Sequence, residues 1–213
     1  MIIKKIVILL CIFILSVGNA FANVLPTTSS EIPQRSIGLY QVNQRIIVYE
    51  KPNCSSKVIF DRQINYSTML GAKIDNMFAV LIPDKELSYV YATDADEDWV
   101  EIIYDKTKNL KGWVYKNDDF QFLPWINFYN MYGRKYGLQL LKNIPLNIND
   151  IHSEPDDNSQ ILGKMVRPKQ IRLTAIEGNW ALVSVLDVSC YTNTGYIQWR
   201  DINGQFYLFP DMK

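Results

Sequence analysis

Beyond residue 22 the chain holds a single histidine, His152, and two cysteines, Cys54 and Cys190. These are residue types from which an activated nucleophile and its base are built. A Cys–His peptidase would need one of the thiols beside His152 and a carboxylate or amide to orient the ring. Yet His152 stands where a strand enters a loop, and no segment is left over for a separate catalytic domain. We therefore expect no catalytic residues, with the peptidase as a minor alternative. Zinc is expected to be absent, because one His and two distant Cys cannot meet the close ligand spacing of a structural site. Asp94, Asp96, Asp98 and Asp105 match positions 1, 3, 5 and 12 of a calcium loop, but Trp99 occupies the sixth position, where the sharp turn requires Gly. A solvated acidic turn is the expectation there. The chain has neither a Gly-rich phosphate loop nor a G-x-S-x-G elbow, so no cofactor is expected.

Aromatic side chains are the better candidates for function. The chain carries 13 Tyr, 9 Phe and 5 Trp, and Tyr and Trp bind well at partly wet contacts. Trp99 and Trp180 open strands and are expected in the core. Trp113, Tyr115, Tyr196 and Trp199 belong to later strands. Strand alternation puts Trp113 and Tyr115 on one face, so these four are the expected ligand-binding set. Cys54 and Cys190 lie in polar, loop-like stretches and admit one pairing, a disulfide clamping the two halves; two unpaired loop thiols fit equally well.

What must position these residues is a chain of 213 residues with 22 basic and 22 acidic side chains, 48% hydrophobic and 21% charged. That composition excludes a disordered tail, and the lack of a basic block excludes nucleic acid as a partner. Residues 1–22 have the three parts of a secretory signal peptide: Lys4 and Lys5, an apolar run from Ile6 to Val17, and Ala20-Phe21-Ala22 as a small-x-small cleavage site. The run is too short to span a bilayer, and Cys11 lies within it, without the small preceding residue of an acylation site. Cleavage near Ala22 removes two Lys and leaves a mature charge of −2. The expected protein is exported, periplasmic or extracellular, with no transmembrane segment in the mature chain.

The rest is organised by an internal repeat. Val48 to Ile59 aligns with Ile151 to Leu162, Asp98-Trp99-Val100-Glu101-Ile102 with Asn179-Trp180-Ala181-Leu182-Val183, and Gly112-Trp113-Val114 with Gly195-Tyr196-Ile197. The order is the same in both copies, and the first carries 22 more residues in its middle. In the second copy, Gln170 to Ile176 alternates polar and apolar, Glu177-Gly178-Asn179 supplies a turn, and Trp180 to Val185 runs straight on, which reads as a hairpin. In the first copy the same order gives strands at Met77 to Ile82, Trp99 to Tyr104 and Lys111 to Tyr115. Between the copies, Trp125, Tyr129, Tyr132 and Tyr136 recur on one helical face behind Pro124, with Arg134 and Lys135 near the C-terminal end and Gly137 as a cap. This predicts a short helix over 124–136 packed between the units.

Taken in order, Ile151-His152-Ser153-Glu154-Pro155, Ile161-Leu162-Gly163, Gly178-Asn179-Trp180 and Gly195-Tyr196-Ile197 resemble the bacterial SH3 (SH3b) domain family of exported and envelope proteins. Val48-Tyr49-Glu50-Lys51-Pro52, Asp98 to Ile102 and Gly112-Trp113-Val114 repeat the pattern. Two departures stand out: Tyr49 and His152 sit where the family often has Arg, and the first copy lacks the Gly before its Trp. The resemblance implies a mainly β chain of two small SH3-like β-barrels joined by a short helix. Its parts would be an N-terminal linker at 23–36, a first domain at 37–123 with an insertion at 60–97, an aromatic helix and linker at 124–143, and a second domain at 144–213. It also implies non-catalytic binding of a cell-wall glycan or peptide, or of an envelope protein. The alternative is a protein–protein adaptor or inhibitor acting through the 60–97 insertion.

Overall fold

The computed structural model describes residues 23–68, 76–116 and 122–213. The expected signal peptide at 1–22 and residues 69–75 of the expected insertion lie outside them. The described chain is mainly β, folded as two antiparallel sheets with a short helix between them. Strands β1 (Gly38–Gln41), β2 (Arg45–Tyr49), β3 (Val58–Gln63), β4 (Val80–Ile82), β5 (Leu87–Ala95), β6 (Trp99–Asp105), β7 (Leu110–Tyr115) and β8 (Phe122–Pro124) form the first. Its order is β3-β2-β7-β6-β5-β1-β8, with β4 paired on β5. Strands β9 (Leu138–Leu140), β10 (Asp150–His152), β11 (Ile161–Lys164), β12 (Pro168–Glu177), β13 (Trp180–Asp187), β14 (Thr192–Gln198) and β15 (Leu208–Pro210) form the second, ordered β11-β10-β14-β13-β12-β9-β15. Strand for strand the two paths are the same.

The duplication reaches down to irregularities. The β5–β6 ladder slips between Ala92 and Asp94, and the β12–β13 ladder slips at the matching place, between Leu173 and Ala175. The β2–β3 ladder slips at Val48/Tyr49, and β10–β11 at Ile151/His152. The extra residue sits on the partner strand in each case, Ile59 on β3 and Leu162 on β11, and a bulge bends the strand that carries it, so both copies bend the strand that pairs with Tyr49 or His152. The aligned glycines also have one task. A Cβ on Gly112 would stand 2.5 Å from Val48 Cγ1 and 2.9 Å from the carbonyl oxygen of Tyr49. One on Gly195 would stand 2.5 Å from the carbonyl oxygen of His152 and 2.6 Å from Ile151 Cγ2. Only a residue without a side chain lets the second strand cross this closely.

Two expectations change. The hairpin partner of β6 is β5, not the stretch Met77 to Ile82. That stretch contributes β4, a short strand laid outside β5. The extra residues of the first copy therefore fall between β3 and β5. The reason the sequence misleads is burial: Ser88 to Ala92 is buried on both faces of β5, so it lacks polar–apolar alternation. Secondly, no closed barrel is formed among the described residues; each sheet runs between two edge strands.

The units are not beads on a linker. One hydrophobic core runs from Leu39, Tyr89, Tyr91 and Leu123 of the first sheet to Ile151, Ile171, Val183 and Ile197 of the second. A second, smaller core belongs to the first unit alone, around Val48, Phe78, Val90, Val100 and Val114. The connecting helix sits where the shared core crosses over. It runs as α-helix Trp125–Phe128, a π-helical stretch Tyr129–Gly133 and α-helix Arg134–Tyr136, and ends at Gly137 with φ +81°. The Trp125 indole N–H donates to the Ser36 carbonyl at 2.8 Å, on the first-sheet side. The buried Tyr129 hydroxyl donates to the Leu208 carbonyl at 2.5 Å, on the second. Tyr132 and Tyr89 share a hydroxyl hydrogen bond of 2.6 Å. Around these, Trp125 packs on Phe206 and Tyr129 on Trp199, with ring centroids 4.7 and 4.5 Å apart. The expected helix is thus present, and its aromatic stripe faces inward.

Candidate functional site

Each second strand ends on an aromatic or imidazole ring that meets the first tryptophan of its sheet. Tyr49 packs edge-on against Trp99, centroids 5.5 Å apart and planes at 88°. At the aligned positions His152 packs edge-on against Trp180, 5.1 Å apart and at 70°. The ladder then adds a third member to each: Trp99 lies opposite Tyr115, and Trp180 opposite Gln198. Trp99 and Tyr115 make a further edge-on contact at 5.3 Å. A ring that begins one central strand, a ring at the bulge and a side chain at the end of the next strand therefore converge in both sheets.

Each convergence borders a surface cleft. The first, about 170 Å³, is lined by Tyr40, Val42, Arg45, Ile46, Tyr49 and Tyr115 among others. Its walls are aromatic and aliphatic, and its one cation is occupied, since Arg45 makes a two-pronged contact with Asp61 at 2.9 and 2.6 Å. That guanidinium holds the Asp61 carboxyl below the ordinary carboxylate range. The Tyr40 hydroxyl donates to the Tyr115 carbonyl at 3.2 Å, and burial raises its pKa far above the ordinary phenol. The second cleft, about 450 Å³, is larger and more polar, with His152, Asp157, Trp180, Gln198, Asp201 and Tyr207 in its walls. Gln198 Nε2 donates to Asp157 Oδ1 at 2.9 Å. Asp201 Oδ1 accepts the backbone N–H groups of Asn203 and Gln205 at 2.9 and 2.7 Å, which fixes the turn leading to Tyr207. Burial, and then the Asp201 and Asp157 carboxylates, raise the pKa of the Tyr207 hydroxyl.

Three of the four expected binding residues lie at the surface. Tyr115 is 49% exposed, and Trp113 stands half-buried on the same face of β7. Tyr196, half-buried on β14, donates its hydroxyl to Glu177 Oε1 at 2.8 Å, and this bond raises its pKa. Trp199 must be corrected. It is fully buried, its indole N–H donates to the Gly178 carbonyl at 3.0 Å, and its ring lies among Tyr129 and Phe206. The physical reason is the period-two alternation itself: Gly195, Ile197 and Trp199 all face inward. Sequence reading missed Asp157, from the β10–β11 loop, and Asp201 and Tyr207, from the β14–β15 connection, which form no motif. His152, where the strand enters the loop, is buried, with only 8% of it exposed.

Cys54 and Cys190 are free and exposed, so the structure holds no clamp between the halves. Cys190 Sγ lies 3.9 Å from Lys169 Nζ, whereas the groups beside His152 are Ser159 and Trp180. The acidic stretch is turned on its own backbone. Asp96 Oδ1 accepts the N–H groups of Asp98 and Trp99 at 3.1 and 2.7 Å, and Asp105 Oδ1 those of Thr107 and Lys108 at 3.0 and 3.1 Å. Among the described residues no three metal-ligating side chains cluster, and no helix is long and apolar enough to cross a membrane. Within the described part of the 60–97 insertion, Met77 to Ile82 and Tyr89 to Ala92 are core, each at most 5% exposed, while Asp61, Asp84 to Glu86 and Asp96 are exposed. Comparison of the chain with protein-family models and with curated proteins found no match.

Proposed function

We propose that this chain is an exported, non-catalytic binding protein of the bacterial cell envelope, and that its ligand is peptidoglycan, held at the two clefts. The observation that carries the reading is the recurrence of an edge-on ring pair, Tyr49–Trp99 and His152–Trp180, each bordering a cleft at the same place in its sheet. Rings with one apolar face and polar neighbours suit a ligand gripped through contact area and hydrogen bonds. The balanced charge of the chain gives no basic field for wall anions. The order of the repeated motifs, which resembles SH3b modules, supports the same reading, as does the secretory pattern of residues 1–22.

The test is sedimentation of the chain from residue 23 with purified cell-wall sacculi across a salt series. Saturable binding that persists at high salt is the expected result, and Tyr115→Ala should weaken it several-fold, because Tyr115 is exposed and its loss leaves the core intact. Failure to co-sediment at any salt concentration overturns the wall reading.

A further inference from the structure

This inference deepens the reading above and rests on it: the second cleft is built for one kind of chemical group. Its tautomer logic starts at Ser159. That hydroxyl has a single proton, and it lies 2.8 Å from the Asp156 carbonyl and 3.1 Å from the Glu154 carbonyl. Carbonyls only accept, so Ser159 Oγ gives its proton to one of them and can meet His152 Nδ1, 3.4 Å away, only as an acceptor. A hydrogen bond between them thus needs the proton of the neutral ring on Nδ1, which leaves Nε2 as an acceptor on a ring that lines the cleft and is more than nine-tenths buried. Among the described residues no hydrogen bond reaches Nε2.

The other polar walls point the same way. Asp157 and Asp201 line the cleft from two different loops, with the Tyr207 side chain in the same wall. Asp150, also in the wall, is matched by Lys164 at 3.2 Å. No Lys or Arg lines the cleft among the described residues. One of the two amide N–H groups of Gln198 is already given to Asp157. Two carboxylates, an imidazole acceptor and the Trp180 ring thus face one space with a surplus of acceptors and negative charge. An ammonium group has three donors, no acceptor and a positive charge that aromatic rings attract.

We propose that the second cleft takes a primary ammonium group carried on a peptide side chain, with Asp157 and Asp201 as counter-charges, His152 Nε2 as an acceptor and Trp180 as its wall. The first cleft has the aligned rings but, with Arg45 bound to Asp61, no free carboxylate in its wall. Ammonium selectivity therefore belongs to the second repeat alone.

The test is titration of the chain from residue 23, following the Trp180 indole N–H by two-dimensional NMR, assigned with Trp180→Phe. The probes are tri-lysine, fully N-acetylated tri-lysine and chitotriose. Tri-lysine should move the Trp180 signal saturably and leave that of the buried Trp125 in place, while the acetylated peptide should not. Asp157→Asn should weaken tri-lysine about fivefold. Asp157 is exposed and that variant keeps its shape, whereas Asp201→Asn also loosens a turn. Equal affinity for the acetylated peptide, tighter binding of chitotriose, or no saturable movement with tri-lysine overturns the proposal. Sacculus binding that survives in the same preparation would then show that the wall reading stands without it.

Discussion

At the scale of single residues, the most informative positions are two glycines and one tryptophan. Gly112 and Gly195 sit at the same crossing in each sheet, and the repeat in the sequence already paired them. Why they are glycines is visible only in the fold, where the second strand passes within 3 Å of where a Cβ would be. Gly195→Ala should cost about 1–3 kcal/mol, because its Cβ would meet backbone at His152 rather than a side chain that can swing away. Thermal unfolding would register this as a lower midpoint, and an unchanged midpoint would mean the strands can part without penalty. Trp199 teaches the opposite lesson. Its place was legible, since carrying the inward parity of Gly195 and Ile197 two residues further puts it in the core. Trp199→Ala should destabilise by about 3–5 kcal/mol. The clustering of Asp157, Asp201 and Tyr207 was not legible, because loops bring them together and no period marks a loop.

Among elements, β13, β14 and the connecting helix could be read from sequence because each has one wet face and one dry face. The strand β5 could not, because it is dry on both sides; β4 and β1 flank it at Tyr89. That position gives it a measurable character. Amides of Tyr89 to Ala92 should exchange with deuterated water more slowly than those of the edge strands β3 and β11, whose outer N–H groups have no partner strand. Equal protection would argue against a central place for β5 in its sheet. The helix was legible in extent but not in form. Its π-helical stretch lets Gly133 come close to β12, where a Cβ would stand 2.9 Å from Leu173 Cδ2. Tyr129→Phe tests its attachment to the second sheet. It removes the only hydroxyl on the buried Leu208 carbonyl among the described contacts, and should cost about 1–3 kcal/mol in chemical denaturation.

At the level of the whole molecule, the repeat predicted two modules and the structure joined them. Duplication was legible because aligned blocks keep their order. The joining was not, because the residues that do it, such as Leu138, Phe206, Phe209 and Met212, lie outside the aligned blocks. Residues 138–213 expressed alone should therefore lack a cooperative unfolding transition and bind a hydrophobic dye. The whole chain should melt in one calorimetric step with matching calorimetric and van't Hoff enthalpies. Two separate melting steps would show that each sheet is stable by itself.

If the proposed wall binding holds, a common core of this kind turns a pair of clefts into a ruler. Modules on a flexible tether can adjust their separation to whatever polymer they meet, at an entropic cost for each adjustment. Here the span between the clefts is set by Trp125, Tyr129 and the rings around them, so under the proposed wall binding both clefts would engage one strand only when its own repeat matches that span. When it matches, the second contact forms at high effective concentration and without further ordering. Length selectivity along a polymer would then come from the interior of the protein, far from any residue that touches the ligand.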